Sequence, residues 1–361
     1  MSHGYLESVI LGEKCGLGGW IIRALLWPFS MLYRVGLAVY LWLYDVGIRK
    51  REKLSVPVIS VGNLTFGGTG KTPAVQELCR MLIGQSKKVV VLSRGYGGNA
   101  QGPLVVSDGD SILADSAQAG DEPVLLAQTL PKVPVVVGRN RRTTGRLAQK
   151  RFRPDVIVLD DGLQYWQLHR DLDVVVLDAG RPFGSGFLMP MGDLREPVSG
   201  LRRADIVLLC GIGRGDKAAS LRKIRNIAPD AEVFQCVREP VCFKNAVTQE
   251  RFGLDWIKGR KVLAFCGIGK PWAFIEMLES LRASVEASIV FSDHYRLTKQ
   301  DIVRIIDEAK AHGVDAIVTT EKDVARLATP ECVPDLYALS IRLLIEDNPR
   351  LAKHITNRIN G

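Results

Sequence analysis

The chain has 361 residues, enough for two domains of ordinary size, each with its own hydrophobic core. Hydrophobic residues make up 47% and charged residues 24%, a composition that excludes a disordered chain and a uniformly membrane-embedded one. The formal net charge of +9 suits an anionic partner, such as nucleic acid, an anionic membrane or a phosphorylated substrate.

The first predicted element is a strongly apolar helix over 16–48 that is rich in tryptophan and tyrosine. Its internal charges Arg23, Arg34 and Asp45 recur every eleven residues, which places them on one face of an α-helix with a drift of about 20° per step. No uncharged run reaches the roughly 20 residues that cross a bilayer cleanly. The segment predicts an interfacial membrane anchor, with a single spanning helix and a buried helix of a soluble fold as alternatives.

A basic cluster follows this helix, formed by Arg49, Lys50, Arg51 and Lys53. Positive residues that flank a membrane segment stay on the cytoplasmic side. We therefore expect the globular body to face the cytoplasm, whether the helix spans the bilayer or lies in its interface.

From residue 56 onward, short β-branched runs alternate with amphipathic stretches, which is typical of a mostly parallel sheet covered on both faces. Strands are predicted at 57–62, 88–93, 133–138, 155–160, 173–178 and 205–210. Helices are predicted at 71–86 and 140–151, and a polar, basic stretch at 211–230 closes this unit.

The first strand runs into a glycine-rich turn, and Gly70-Lys71-Thr72 then opens a helix. This is the setting of a phosphate-binding loop (P-loop), in which backbone N–H groups and a helix N-terminus bind nucleotide phosphates. Lys71 is expected to reach the β- and γ-phosphates of ATP, and Thr72 to ligate Mg²⁺. Thr65 stands where the usual pattern has glycine. The predicted ATP-binding residues are Thr65, Phe66, Gly67, Gly68, Thr69, Gly70, Lys71 and Thr72.

Two pairs of carboxylates accompany the P-loop. Asp160 and Asp161 end a hydrophobic strand, and in P-loop proteins a strand beside the loop supplies an acidic group for Mg²⁺. Asp121 and Glu122 precede an apolar helical stretch, where acidic residues are also usual at a helix start. The residues alone predict a metal or catalytic role for at least one aspartate of the first pair and a helix start for the second pair.

A second, smaller α/β unit follows, with strands at 261–266, 286–291, 314–319 and 336–341 and helices at 271–283, 298–312 and 348–358. The segment Gly267-Ile268-Gly269-Lys270-Pro271 is similar to a phosphate loop but lacks its spacing, which favours a strand–helix turn. The predicted organisation is a membrane-associated segment over 1–48, a P-loop core domain over 49–235 and a C-terminal α/β domain over 236–361.

The seven cysteines are scattered, and no two form a Cys-x-x-Cys pair. Several lie in apolar runs, which indicates reduced core thiols in a cytoplasmic protein. Since the five histidines are dispersed as well, a zinc site is not expected.

Eight short motifs together resemble the tetraacyldisaccharide 4′-kinases, the lipid A 4′-kinases of Gram-negative bacteria, from the N-terminal segment to about residue 325. In chain order they are Gly62-Asn63-Leu64, Gly67-Gly68-Thr69-Gly70-Lys71-Thr72-Pro73, Ser93-Arg94-Gly95-Tyr96-Gly97-Gly98, Gly120-Asp121-Glu122-Pro123, Asp160-Asp161-Gly162-Leu163-Gln164, Leu194-Arg195-Glu196-Pro197, Phe291-Ser292-Asp293-His294-Tyr295 and Thr319-Thr320-Glu321-Lys322-Asp323.

The resemblance implies an ATP- and Mg²⁺-dependent kinase of lipid A biosynthesis. It would transfer the γ-phosphate of ATP to the 4′-hydroxyl of tetraacyldisaccharide 1-phosphate and give the bisphosphorylated precursor. The partners implied are this acylated glucosamine disaccharide and the inner-membrane bilayer, at its cytoplasmic face.

The resemblance also implies roles for single residues. Asp121 would pair with His294 of the other domain to deprotonate the sugar hydroxyl. Glu122 and Asp160 would serve the metal together with Thr72. Residues near the phosphates or the lipid would be Asn63, Asp161, Gln164 and Arg195. The family often has His after the Gln of the Asp-Asp-Gly motif, and this chain has Tyr165, so a role tied to that His is not implied here.

Two other classes of protein are considered beside a kinase. A membrane-associated P-loop ATPase acting on a protein partner predicts ATP hydrolysis without a lipid acceptor. A non-enzymatic nucleotide-binding adaptor predicts that Lys71→Ala keeps the cellular role. Nucleic-acid binding is not expected, because the basic residues are dispersed and no aromatic–basic module is present.

Overall fold

The structure is a computed structural model that describes residues 5–12, 16–211, 217–293, 295–327 and 329–360. Within these ranges one sheet contains all the strands. They are β1 (Val58–Gly62), β2 (Val89–Ser93), β3 (Leu104–Ser107), β4 (Val135–Val137), β5 (Val156–Asp160), β6 (Leu172–Asp178), β7 (Ile206–Cys210), β8 (Glu232–Asn245), β9 (Arg251–Phe252), β10 (Lys261–Cys266), β11 (Ser284–Val290), β12 (Ala316–Thr320) and β13 (Leu336–Ile345). The helices are α1 (Tyr5–Ile10), α2 (Leu17–Asp45), α3 (Lys71–Gly84), α4 (Ser116–Ala119), α5 (Asp121–Thr129), α6 (Arg141–Phe152), α7 (Lys217–Ile227), α8 (Pro271–Ser280), α9 (Lys299–Ala311), α10 (Glu321–Val324) and α11 (Asn348–Asn360).

The central strands consist almost entirely of Val, Ile and Leu because helices cover both of their faces. On one face Ile59 and Val61 of β1 pack with Leu78 of α3. On the other face Val58 of β1 packs in the cluster that contains Ala148 of α6. The core therefore lies in two layers, one on each side of the sheet.

The strands lie in the order β11–β10–β12–β13–β8–β7–β6–β1–β5–β2–β4–β3, with β9 beside β8. Neighbours are parallel except for the pairs β3–β4, β8–β13 and β8–β9. Because β2, β5, β1 and β6 are parallel, their carboxyl ends meet at one edge, where ligands bind in open α/β sheets.

Strand β8 joins the two predicted units into one sheet. It is parallel to β7 up to Cys236, and its residues Cys236 to Asn245 then pair antiparallel with β13. The predicted domain boundary between residues 235 and 236 falls inside this strand. The division into a core domain and a C-terminal domain stays a prediction. We call residues 49–235 the P-loop unit and residues 236–361 the C-terminal unit.

Each strand and helix predicted from the sequence is present, with ends that differ by a few residues. Strands β3, β8 and β9 were not predicted. Most positions of β8, Glu232–Asn245, are half-buried, so this strand lacks the continuous apolar run that revealed the other strands.

The expectation of reduced thiols throughout is wrong for one pair, because Cys210 and Cys236 form a disulfide. The parallel register places these residues side by side on β7 and β8, with their Cα atoms 4.7 Å apart. Residues on separate strands show no such proximity in the sequence. The free cysteines of the described residues are Cys79, Cys242, Cys266 and Cys332.

Helix α2 is long and apolar enough to cross a membrane, and 6% of its most apolar window is buried in the protein. Its buried residues are Gly19, Arg23, Ser30 and Tyr44. Its exposed apolar side chains are Leu17, Trp20, Ile21, Leu25, Trp27, Phe29, Leu32, Val35, Val39 and Trp42. The alternative of a buried helix in a soluble fold is therefore wrong.

The predicted charged face of α2 is only partly turned toward the protein. The buried Arg23 donates a hydrogen bond of 2.9 Å to the carbonyl oxygen of Val9 and lies 5.0 Å from the ring centre of Phe187. Arg34 and Asp45 are exposed. The polar side of α2 thus faces the body in its N-terminal half, and apolar side chains cover the side that faces away.

Candidate active site at the carboxyl edge of the sheet

The P-loop connects the carboxyl end of β1 to the first turn of α3, as the sequence predicts. Gly67 and Gly70 have φ angles of 100° and 105°, a backbone conformation that favours glycine. Lys71 begins α3, and Thr72 is half-buried in its first turn. The predicted ATP-binding residues, 65–72, therefore form one continuous loop at the N-terminus of a helix, an arrangement that binds phosphate.

Asn63 fixes the P-loop from inside, because its fully buried side chain bonds to two residues in the C-terminal part of the loop. Its amide nitrogen donates to the Thr69 hydroxyl at 2.9 Å, and its amide oxygen accepts from Lys71 Nζ at 3.2 Å. The same oxygen accepts from Arg195 at 2.6 Å. Asn63, predicted near the phosphates, thus holds the lysine that is expected to reach them.

Arg195 braces the outer side of the loop. Its guanidinium donates to both carboxylate oxygens of Asp161 at 2.9 Å and to Gln164 Oε1 at 3.2 Å. It also donates to the Thr65 carbonyl oxygen at 3.3 Å and lies 5.3 Å from the ring centre of Phe66. The structure thus brings Asp161, Gln164 and Arg195 together and engages all three with the frame of the loop.

Asp161 carries the negative charge that balances this cluster. Burial would raise the pKa of its carboxyl group, but the cations Lys71, Arg195 and Arg141 together outweigh burial and lower that pKa. The nearest approach of Lys71 Nζ to the carboxylate is 3.7 Å. Asp161 therefore stays ionised and offsets part of the positive charge beside the P-loop.

Asp160 is the most deeply buried carboxylate of the site, with 1% of its surface exposed. Burial raises its pKa to about 7, and the nearby charges of Glu122 and Asp161 act in the same direction. The Ser93 hydroxyl donates to Oδ2 at 2.8 Å, while Oδ1 has no hydrogen-bond partner. A buried carboxylate oxygen without a partner fits a site that a cation completes.

The described residues contain no cluster of three or more His, Cys, Asp or Glu side chains placed to hold a metal ion. Such a cluster is not required at a P-loop, because Mg²⁺ there keeps several waters and takes phosphate oxygens and one or two protein ligands. The unpartnered oxygen of Asp160, the Thr72 hydroxyl and the nearby Glu122 fit that pattern.

Asp121 lies at the start of α5, where its buried carboxylate meets the C-terminal unit. Arg326 donates to Asp121 Oδ2 at 2.8 Å across 205 residues of sequence. The Arg326 side chain is 1% exposed and also contacts Asp293 at 3.5 Å and Asp323 at 3.2 Å. His294, the predicted partner of Asp121, lies outside the described residues.

Lys322 adds a second link between the two units. Its ammonium group lies 3.1 Å from Asp293 and 3.8 Å from Glu122. The motif Thr319-Thr320-Glu321-Lys322-Asp323 therefore forms part of the contact between the units. Sequence reasoning missed Arg326, although it follows this motif by only three residues.

Tyr165, which stands where the family often has His, belongs to the supporting structure. Its ring centre lies 4.9 Å from the guanidinium of Arg141, and its hydroxyl accepts a bond of 2.9 Å from the Arg141 backbone N–H. Arg141 in turn donates to the carbonyl oxygens of Asp160 and Asp161 at 3.1 and 3.3 Å. Tyr165 thus holds the arginine that supports the paired aspartates.

Helix α2 docks beside this site. The Tyr33 hydroxyl donates to the carbonyl oxygen of Arg195 at 2.5 Å, and the Ser30 hydroxyl donates to that of Leu188 at 3.1 Å. The apolar N-terminal helix therefore contacts the very segment that braces the P-loop.

The comparisons with known proteins agree with this geometry. The family model described as "LpxK: Tetraacyldisaccharide-1-P 4'-kinase" matches residues 22–360. A tetraacyldisaccharide 4′-kinase of Syntrophus aciditrophicus (strain SB) is 41% identical over 323 residues, which cover 85% of each chain. One of Halothermothrix orenii is 36% identical over 374 residues and covers 98% of this chain and 97% of its own.

A solved structure is similar over nearly the same length. It is the "apo" form of LpxK from Aquifex aeolicus in complex with ATP, with a TM-score of 0.76 and 34% identity. The match covers 94% of this chain and 99% of that one. The chain therefore belongs to the tetraacyldisaccharide-1-phosphate 4′-kinase family.

Proposed function

We propose that the residues at the carboxyl edge of the sheet carry out the reaction of this family, the transfer of the γ-phosphate of ATP to the 4′-hydroxyl of tetraacyldisaccharide 1-phosphate. The observation that carries the proposal is that the P-loop, the buried Asp160 and the buried Asp121 meet at one edge. A phosphate-holding loop, a metal ligand and a candidate base are what a phosphoryl transfer to an alcohol requires.

The nucleotide end of the site is assigned to the P-loop. The backbone N–H groups of 67–72 and the ammonium group of Lys71 would bind the phosphates, with Asn63 and Arg195 holding the loop in shape. Thr72 and Asp160 would hold Mg²⁺ directly or through water, with Glu122 beside them. Bound Mg²⁺ supplies positive charge that offsets the charge developing on the transferred phosphoryl group.

The acceptor end is assigned to Asp121, with His294 as its predicted partner. The 4′-hydroxyl oxygen forms a bond to the γ-phosphorus, the bond from that phosphorus to the β,γ-bridging oxygen breaks, and ADP leaves with the electron pair. The hydroxyl proton passes to Asp121 or to the histidine paired with it. Arg326 keeps Asp121 in place through its bond of 2.8 Å.

We further infer that α2 brings the lipid substrate to this site. Its outward face is apolar and rich in tryptophan, which suits the interface of a bilayer. The helix contacts the Arg195 segment through Tyr33, so a membrane on its outer side would lie next to the P-loop. The basic residues 49–53 would orient the body toward the cytoplasm.

A direct assay tests the reaction. Detergent-solubilised protein is incubated with Mg²⁺, γ-labelled ATP and tetraacyldisaccharide 1-phosphate, and the label is followed into the lipid. We expect lipid labelling that depends on Mg²⁺ and is lost with Lys71→Ala and with Asp121→Asn. Release of labelled inorganic phosphate at the same rate with and without the lipid would instead support an ATPase that acts on another partner.

A further inference from the structure

Two cations that the reaction as described does not use lie over the P-loop. They are Arg238, on β8, and Lys270, in the turn between β10 and α8. Neither belongs to the nucleotide-binding motif, and they lie far along the chain from it. Their position follows from the topology of the sheet.

Arg238 reaches the loop because β8 continues past the carboxyl edge. Asp178 of β6, Cys210 of β7 and Cys236 of β8 are in register across the sheet at this edge. Arg238 lies two residues beyond Cys236, on the same face of the strand, and so extends over the P-loop.

The guanidinium of Arg238 is in direct contact with the loop. It donates a hydrogen bond of 3.1 Å to the Gly68 carbonyl oxygen, which is its hydrogen-bond partner among the described residues. A Cβ atom at Gly70 would lie 2.9 Å from the same terminal nitrogen. An arginine has five N–H donors, so most of its capacity to bind an oxyanion is left over.

Lys270 approaches from the neighbouring turn. Its ammonium group is paired with Asp178. The turn itself touches the loop, since a Cβ atom at Gly269 would lie 3.3 Å from the backbone nitrogen of Gly68. The segment that is similar to a phosphate loop without its spacing is thus a strand–helix turn, as predicted, and it carries a lysine to the P-loop.

The charges near the loop suggest what these cations do. Lys71 and Arg195 both share the negative charge of Asp161, so much of their positive charge is already balanced. Burial lowers the pKa of the Arg238 guanidinium, and the carboxylate of Asp178 offsets part of this effect. Asp178 pairs with Lys270 in the absence of a stronger anion, and a triphosphate is such an anion.

We propose that Arg238 and Lys270 bind the γ-phosphate of ATP, with Asp178 holding Lys270 and the Gly68 carbonyl oxygen holding Arg238 before the nucleotide enters. The γ-side is indicated because Gly68 lies in the loop three residues before Lys71, which reaches the β- and γ-phosphates. The inference rests on the proposed use of ATP. It adds two phosphate-binding residues from outside the nucleotide motif, both supplied by the C-terminal unit.

Calorimetric titration with Mg²⁺ and either AMP-PNP or ADP tests this without the lipid. We expect Arg238→Gln and Lys270→Gln each to weaken AMP-PNP binding about tenfold or more, which corresponds to the loss of one charge-assisted hydrogen bond. Each should weaken ADP binding by less than about twofold. Arg238→Lys should retain part of the selectivity. Equal weakening of both nucleotides, or no weakening of either, would overturn the proposal.

Arg342→Gln is the matched control. Arg342 lies on β13 next to Leu343, the residue that pairs with Arg238 of β8. It also contacts the P-loop unit, through a bidentate ion pair with Glu77 at 2.8 and 2.9 Å. Arg342→Gln should leave the ratio of the AMP-PNP and ADP affinities unchanged. A changed ratio would show that any weakened contact between the units is enough to alter it, and would contradict the proposal. Circular dichroism and thermal unfolding confirm that each variant is folded.

The two proposals fail in different ways. If the unsubstituted protein binds AMP-PNP and the Arg238 and Lys270 variants bind it equally well, this inference fails and the kinase assignment stands. If the unsubstituted protein binds neither nucleotide, the use of ATP fails, and this inference fails with it.

Discussion

Arg195 and Asp161 form a salt bridge in which one guanidinium nitrogen of Arg195 lies 2.9 Å from each carboxylate oxygen of Asp161. The pair connects the segment that α2 contacts with the carboxyl end of β5, and Arg195 also contacts Thr65 and Phe66 of the P-loop. This arrangement implies that Arg195 acts on the shape of the loop.

Replacing Arg195 should therefore weaken nucleotide binding. Arg195→Lys cannot bond to Asp161, Gln164 and Asn63 at once, because a lysine lacks the planar fork of five donors. We expect KM for ATP to rise about tenfold, as for the loss of a charge-assisted hydrogen bond. Steady-state kinetics over a range of ATP concentrations measure this. Arg202→Lys, at an exposed arginine nearby, is the control, and equal behaviour of the two variants would contradict the bracing role.

Asp160 gives the metal-free protein a pH-dependent stability. Its pKa is raised from 3.8 to about 7 in the folded state, so between these values the folded state binds the extra proton and the unfolded state does not. The contribution of Asp160 is therefore greatest in acid and is lost as the pH rises to about 7. In thermal unfolding without Mg²⁺ at pH 8, Asp160→Asn should raise Tm by at least about 2 °C.

The same substitution should separate stability from activity. Asparagine keeps the volume of Asp160 but cannot supply a negative oxygen to Mg²⁺, so kinase activity should fall about 10²-fold or more. At pH 5 the gain in Tm should be smaller than at pH 8, because the native aspartate is then protonated. A Tm gain that does not change with pH would argue against ionisation as its cause.

Arg326 should be among the most costly residues to remove. It is buried among Asp121, Asp293 and Asp323, and Arg326→Ala leaves these carboxylates without their shared cation. Breaking such a buried pair lowers the free energy of unfolding by about 3–5 kcal/mol. Urea denaturation measures this, with Arg304→Ala on the exposed side of α9 as the control.

A double variant tests the electrostatic cause. Asp121→Asn in the Arg326→Ala background removes one of the negative charges that Arg326 had balanced, so part of the lost stability should return. Kinase activity should not return, because Asp121 is the proposed base or its carboxylate partner. If the stability losses of Arg326→Ala and Asp121→Asn are additive in the double variant, a direct interaction between these two side chains is contradicted.

The outward face of α2 should control membrane binding. Leu25 and Leu32 are 68% and 72% exposed, and the double change to glutamate puts charge where we propose lipid. In a flotation assay with anionic vesicles the bound fraction should fall at least tenfold, while activity on detergent-dispersed substrate is retained. Val303→Glu, at a 56% exposed valine of α9, is the matched control and should float as the unsubstituted protein does.

Much of the fold could be predicted because its strands are buried on both faces. A strand such as β5, Val156–Asp160, is a continuous apolar run with a carboxylate at its end, so both the element and a site residue can be recognised locally. The P-loop is equally local, since Gly70, Lys71 and Thr72 are consecutive. Strand β3 was missed because its four residues give too short a pattern.

The contacts across the sheet could not be predicted from local patterns. Arg326 and Asp121 are 205 residues apart, and Arg238 and Gly68 are 170 residues apart. Neither arginine lies in a glycine-rich turn or at the end of an apolar run. Only the order of the strands, and the extension of β8 past the edge, bring these pairs together.

The contact between Tyr33 and the Arg195 carbonyl oxygen sets the distance between a bilayer on the outer side of α2 and the P-loop. An α-helix with its side chains is only about 10–12 Å across, so a bilayer on the outer side of α2 would begin roughly that far from the bracing segment. Pulling acyl chains into water costs about 0.8 kcal/mol for each methylene group. A tetraacylated substrate could therefore present its sugar to the P-loop with its chains still in the membrane, and the enzyme would not need to extract it.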